Sequence, residues 1–206
     1  DLHSFPTRRS SDLPGSVRAE LDESGEFPRE ILQDMAKADL FGIFVPEQYG
    51  GLGGGCFEIV LAMEQLAMGC VGIATSFAAS ALGIFPVILA GSEELKQQYL
   101  PDIATGRRWA AFGLTEANAG SDAAGIRTTA VEDGDCWVLN GTKQWITNGG
   151  ESQIYSIVAI TDPNKGARGA SIFMVEEGDP GFSYGKKEKI GRAHAELQSR
   201  QVISYA

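Results

Sequence analysis

Residues 112–122, Phe-Gly-Leu-Thr-Glu-Ala-Asn-Ala-Gly-Ser-Asp, and 140–148, Asn-Gly-Thr-Lys-Gln-Trp-Ile-Thr-Asn, carry hydroxyl, small and aromatic side chains where an ordinary sheet would carry Val and Ile. Segments of this composition suit a binding site better than a core. The chemistry they offer is neutral. Thr115, Ser121 and Thr147 supply hydroxyls, Trp145 a flat apolar wall, and the Ala119-Gly120-Ser121 turn exposes backbone N–H groups able to hold an anionic group. Glu116 and Asp122 invite a paired-carboxylate mechanism. Two acids six residues apart around a turn have no assured convergence, so they are read as surface or turn-capping groups and given no catalytic role. Taken singly, each residue also has an ordinary reading: Trp145 as a sheet-core aromatic, Thr115 and Thr147 as β-branched strand formers, Gly120-Ser121 as a bend. The ordered set argues for a site.

Other chemistries are excluded by what is missing. The only histidines are His3 and His194, close to the two ends, so residues 14–189 contain neither a Ser-His-Asp triad nor a histidine-metal centre. Cys56, Cys70 and Cys136 lack paired spacing, which fits packed thiols in a reducing compartment better than disulfides or zinc. No metal site is expected. The chain carries 17 basic and 27 acidic residues, a net charge of −10, and has no Lys/Arg cluster, which argues against nucleic-acid binding.

The ordered blocks point to a family. Leu-Thr-Glu-x-x-Ala-Gly-Ser-Asp (114–122) followed by Asn-Gly-x-Lys-x-Trp-Ile-Thr-Asn (140–148) resembles the flavin-binding β-domain of acyl-CoA dehydrogenases. Upstream, Phe27-Pro28-x-Glu30, the run from Phe41 to Gly53, and Gly91-Ser92-Glu93-Glu94-x-Lys96-x-x-Tyr99-Leu100-Pro101 are similar to that family's N-terminal helical domain. Downstream, Phe173-x-Val175-Glu176 and Pro180-Gly181-Phe182-Ser183 resemble its later strands, so the likeness covers about residues 14–189. Agreement over so many ordered blocks is far more specific than a lone motif. Ala117-Asn118 departs from the family, which often has Pro-x there; the change bears on turn rigidity.

The resemblance implies FAD as cofactor, an acyl-CoA thioester as substrate, electron-transfer flavoprotein as electron acceptor, and a homo-oligomer in the full-length protein. It also implies the reaction: α,β-desaturation, in which a carboxylate removes the α-proton while the β-hydrogen leaves as hydride to flavin N5. Carried over residue by residue, Thr115 and Thr147 contact the isoalloxazine ring and Trp145 packs against it. Phe112, Leu114, Gly120 and Ile146 complete the cofactor-binding set, and Ser121 serves both flavin phosphate and thioester. In the family the carboxylate base lies in a C-terminal helical domain, so no catalytic residue is assigned here. Alternatives are an acyl-CoA oxidase or flavin monooxygenase on the same scaffold, or a non-catalytic thioester- or flavin-binding protein. The location implied is cytoplasmic, or the mitochondrial matrix in a eukaryote, with targeting unreadable.

The likeness stops at both ends. Residues 1–13 read as translated sequencing-adapter DNA, and residues 190–206, from Ile190-Gly-Arg-Ala-His194 through Glu196-Leu-Gln-Ser199, read as the opposite adapter. Both are set aside from fold reasoning.

The elements between them must position the site. Ile31, Leu32, Met35 and Ala38, then Ile59, Val60, Met63, Leu66 and Ala67, recur at helical steps, and Ser92 precedes Glu93-Glu94 as an N-cap should. Val71–Ala90 is long and apolar, but Thr75, Ser76, Ser80, Gly83 and Pro86 interrupt it, and it reads as buried helix with no membrane span. Gly50–Gly55 lacks the order of a phosphate cradle and reads as a tight turn. From Arg107 the period becomes two, predicting strands near 109–114, 128–132, 136–139, 143–146, 154–160 and 170–175, with hairpin turns at Asp133-Gly134 and Asn140-Gly141. The fold class is therefore α+β: a helical domain over 14–106, then an antiparallel β-domain over 107–189, with the family's C-terminal helical domain missing.

Overall fold

The computed structural model describes residues 15–185. The adapter-like segments 1–13 and 190–206 lie outside them. Helices α1 (Gly15–Ser24), α2 (Arg29–Lys37), α3 (Cys56–Gly69), α4 (Val71–Ala90) and α5 (Glu93–Ala104) precede strands β1 (Ala110–Gly113), β2 (Thr129–Asp133), β3 (Cys136–Asn140), β4 (Ile154–Ile160) and β5 (Ala170–Glu176). This is the helical block followed by a sheet that the change of period predicts.

Local rules set the helix ends. Ser92 Oγ accepts the Leu95 N–H at 3.4 Å at the start of α5, and Glu58 reaches back to the Gly55 N–H at 2.7 Å at the start of α3. The Gly50–Gly55 run is a turn, as expected. Gly50 and Gly53 have left-handed φ of 85° and 67°, and a Cβ on Gly51 would strike the Val45 carbonyl oxygen.

Helix α4 is the axis of the core. Ile73, Ala74, Phe77, Ala81, Ile84 and Val87 are buried along it, and Phe77 packs against Phe41 and Phe44, each with centroids 5.6 Å apart. It is long and apolar enough to cross a membrane, yet 56% of its span is buried inside the protein, as a core helix requires. Leu32, Met35 and Leu66 are buried from α2 and α3, whereas Val60, expected on the inner face, is 60% exposed. One apolar cluster runs from these helices into Trp109, Ala110 and Ile154, so helices and sheet share a core. Gly83 makes the join. A Cβ there would lie 2.6 Å from the Ala111 nitrogen, and the Gly83 carbonyl accepts Ser156 Oγ–H at 2.5 Å.

The sheet is mixed where an antiparallel one was expected. Its path is β1-β4-β2-β3 with β5 also on β4; β1 runs parallel to β4, while β2–β3 and β4–β5 are antiparallel. β4 is paired on both sides and buried over most of its length, which suits its Ile-Tyr-Ser-Ile-Val-Ala-Ile composition.

Two local expectations fail. Residues 143–146 form no strand, because Trp145 adopts φ of 58° and breaks the extended path. Asn140-Gly141 is no hairpin turn; Gly141 is required because Thr128 lies against it, with Oγ1 2.3 Å from where a Cβ would sit. The other hairpin forms one residue later than the expected Asp133-Gly134: Asp133 pairs with Cys136, Gly134-Asp135 joins β2 to β3, and of the two only Gly134 has positive φ, at 61°. The thiols are also less packed than expected: all three cysteines are free, with Cys56 and Cys136 exposed.

Candidate flavin-facing site

The site is built where β1 leaves the sheet. Beyond Gly113 the chain continues through Leu114, Thr115 and Glu116 into a loop closed by reciprocal bonds, Glu116 N–H to the Ala119 carbonyl and Ala119 N–H to the Glu116 carbonyl, each 3.1 Å. The turn therefore forms without the family's proline at 117. Segment 143–148 lies alongside: the Gln144 N–H donates to the Thr115 carbonyl at 2.8 Å. That bond sets Thr115 beside Gln144-Trp145, and the structure in this way brings two of the predicted residues together.

Trp145 is not a core residue. It is 36% exposed, and its left-handed backbone is uncommon for a bulky side chain, a form of strain that gathers at functional sites. The neighbouring Ile146 is 1% exposed and packs with Leu139, Tyr155 and Ile157, so its side chain belongs to the core. Thr147 is half-buried and leads into a turn anchored by Asn148, whose Nδ2 donates to the Ser76 carbonyl on α4 at 2.7 Å.

Phe112 and Leu114 pack against the small cluster of Ala119, Ile126 and Val158, which makes them a partly covered wall. Gly120 and Ser121 are exposed on the loop. Gly120 has no positive φ, and a Cβ there would meet no atom within 4 Å, so the fold itself does not require glycine at this position. Close approach by a ligand is a reason for glycine that packing does not supply.

Among the described residues, the hydroxyls of Thr75, Thr105, Thr128, Thr161 and Ser156 are all hydrogen-bonded within the protein. Those of Thr115, Ser121 and Thr147 have no protein partner among the described residues. Three spare hydroxyls, a bare glycine and an outward indole fit a flat polar-edged ring carrying a phosphate tail, which is what a flavin dinucleotide presents.

Glu116 is a staple. Its carboxylate accepts the N–H groups of Arg127 (2.6 Å) and Thr128 (3.0 Å), the Thr128 hydroxyl (2.6 Å) and Lys143 Nζ (2.7 Å). Burial pushes its carboxyl upward, but the bonds from Lys143, Thr128 and Arg127 outweigh this and hold it below the usual carboxylate range. Sequence reasoning left it as a capping or surface acid; it is the former. Lys143, a motif residue to which the sequence assigns no role, is its buried partner; a lysine within an otherwise neutral strand-like run is the signal for it.

A cavity of about 390 Å³ lies elsewhere, lined by Arg29, Lys37, Arg107, Trp109 and Gln153 among others, and no predicted site residue borders it. Its three cations are each ion-paired, to Glu151, Asp34 and Asp102, so it offers no spare charge for an anion.

A helical block feeding a sheet is the arrangement of the N-terminal and middle domains of acyl-CoA dehydrogenases. The chain belongs to the acyl-CoA dehydrogenase family: residues 14–107 match its N-terminal domain and residues 111–202 its middle domain. The second match extends past residue 189. The protein named probable acyl-CoA dehydrogenase fadE25 of Mycobacterium leprae is 46% identical over 171 residues, covering 83% of this chain and 44% of that one. Butyryl-CoA dehydrogenase from Megasphaera elsdenii superposes with a TM-score of 0.87 at 34% identity, covering 97% and 55%. Acyl-CoA dehydrogenase from Bacillus anthracis, solved with FAD, gives 0.81 at 31%, covering 100% and 38%. The chain spans about half the length of the curated relatives it matches.

Proposed function

We propose that these residues form the flavin-facing half of an acyl-CoA dehydrogenase that desaturates an acyl-CoA thioester and passes electrons to an electron-transfer flavoprotein. The observation that carries this reading is the set of three unpartnered hydroxyls, Thr115, Ser121 and Thr147, together with a strained, outward Trp145 whose segment is bonded to the Thr115 carbonyl through Gln144. In this reading Thr115 and Thr147 hydrogen-bond the ring edge, Trp145 covers one face, and Phe112 and Leu114 form the apolar floor. Gly120 lets the backbone approach the pyrophosphate, and Ser121 donates to phosphate and thioester. When bound, FAD supplies the hydride-accepting ring.

The residues here bind and orient. None of them is placed to remove the α-proton: Glu116 is engaged by four donors, and Asp122 sits on the exposed loop. The base is contributed from outside the described residues.

The experiment is an equilibrium FAD titration followed by flavin fluorescence. Thr115→Val and Thr147→Val each remove a hydroxyl without changing shape, so each weakens binding about tenfold, the equivalent of one hydrogen bond, while leaving the unfolding midpoint in place. Equal binding by wild type and both variants would refute the site.

A further inference from the structure

The loops around Thr115 are joined by a buried charge pair that the binding reading does not use. Lys143 is 1% exposed at its side chain and Glu116 10%. Lys143 Nζ donates both to Glu116 Oε1 at 2.7 Å and to the Leu114 carbonyl at 3.1 Å. It thus grips the chain on either side of Thr115. The next residue along the chain, Gln144, donates its N–H to the Thr115 carbonyl at 2.8 Å, and the one after is Trp145 with φ of 58°.

A buried ion pair contributes little over well-packed apolar residues, because desolvation offsets most of the attraction. Its geometry is specific in a way an apolar contact is not, since each donor has one acceptor at one place. The far end of the strained segment is fixed independently by Asn148 on the Ser76 carbonyl. Between these two anchors residues 144–147 cannot relax Trp145 into an extended conformation without breaking one of them.

We propose that Glu116 and Lys143 are positioning residues, holding Thr115 and Trp145 at one fixed separation so that a flat ligand meets both. The ligand's identity as a flavin rests on the reading above; the positioning does not.

The test uses the full chain with Lys143→Met and the double variant Glu116→Gln/Lys143→Met. Lys143→Met strands a buried carboxylate and lowers the unfolding midpoint, and the double variant, which neutralises that carboxylate, recovers most of it. Two readouts need no ligand: exchange of the Gln144 amide by NMR, and acrylamide quenching of Trp145 in a Trp137→Phe background, where Trp109 is only 4% exposed. In the stability-recovered double variant, Gln144 exchange is still accelerated about 10- to 100-fold, the equivalent of a lost charge-assisted hydrogen bond, and Trp145 is more quenchable. A double variant that recovers stability and also regains protection and quenching would reduce the pair to a structural role and overturn the proposal, as would unchanged Gln144 exchange in Lys143→Met.

An FAD titration then separates the two readings. The double variant binds at least about tenfold more weakly than wild type. Wild type taking up no FAD removes the flavin reading and leaves the positioning to the exchange data. Equal affinity in both, with the segment loosened, overturns the positioning of the ring.

Discussion

At the residue scale, glycines sort into those the fold needs and those it does not. Gly120 stands in open space without a positive φ, so Gly120→Ala raises stability by about 0.4–1 kcal/mol through the unfolded chain; under the proposed function it also weakens FAD binding, because the added methyl would obstruct the approach of the pyrophosphate. Thermal melts and the flavin titration check both halves; a variant binding FAD as well as wild type would sever Gly120 from the site. Glu116 makes a second prediction, in pH. Its folded carboxyl is held below the ordinary value of 4.5, so its stabilisation is fully present above that value and is lost as pH falls through the lower folded one. Urea midpoints measured from pH 7 down to pH 3 therefore fall more steeply for wild type than for Glu116→Gln. Parallel curves would mean that the carboxylate contributes nothing to folding.

At the element scale, the contact of α4 with β1 is set by the absence of a side chain at Gly83. A Cβ there meets the backbone of Ala110 and Ala111 at 2.6–2.8 Å, and backbone cannot swing aside. Gly83→Ala is expected to cost about 1–3 kcal/mol, the range for overpacking, against the few tenths typical of an exposed position. Chemical denaturation measures it, and a neutral result would show that helix and sheet slide freely. One helix face was legible because Leu32 and Met35 sit three residues apart on α2, and β4 was legible as a short apolar run rich in Ile and Val, buried almost throughout. Lys-Gln-Trp-Ile at 143–146 has strand composition, yet no strand forms: Lys143 and Asn148 are anchored on either side, and Trp145 between them takes a left-handed φ.

At the scale of the molecule, apolar side chains remain on the surface. Phe57, Val60, Leu61 and Met68 on α3 and Leu82 and Leu89 on α4 are 40–81% exposed. Such surface favours association, so Phe57→Glu/Leu89→Glu raises the concentration at which light scattering detects aggregates; an unchanged threshold would leave the face inert. The 206 residues alone are expected to bind FAD too weakly to retain it through purification and to give no detectable acyl-CoA turnover. Under the proposed function no base is placed among the described residues, and lack of a positioned base costs a factor of about 10²–10⁴ in rate, while water reaching the ring weakens the remaining contacts. Turnover with an artificial electron acceptor would return Glu116 and Asp122 to consideration as bases.

The chain's own residues determined the α+β order, the helix faces, the cap at Ser92 and the candidate set of hydroxyls, because propensity, periodicity and motif order are all local. Tertiary structure decided what depends on neighbours distant in sequence. Ile146 turned into the core while Trp145 turned out, since Gly113 and Ile157 leave room for one and Lys143 and Asn148 force the other. Glu116 became a buried four-donor acceptor because Arg127, Thr128 and Lys143 fold back onto it. The parallel pairing of β1 with β4 is likewise invisible to alternation, which reports which face is buried but not which strand lies alongside.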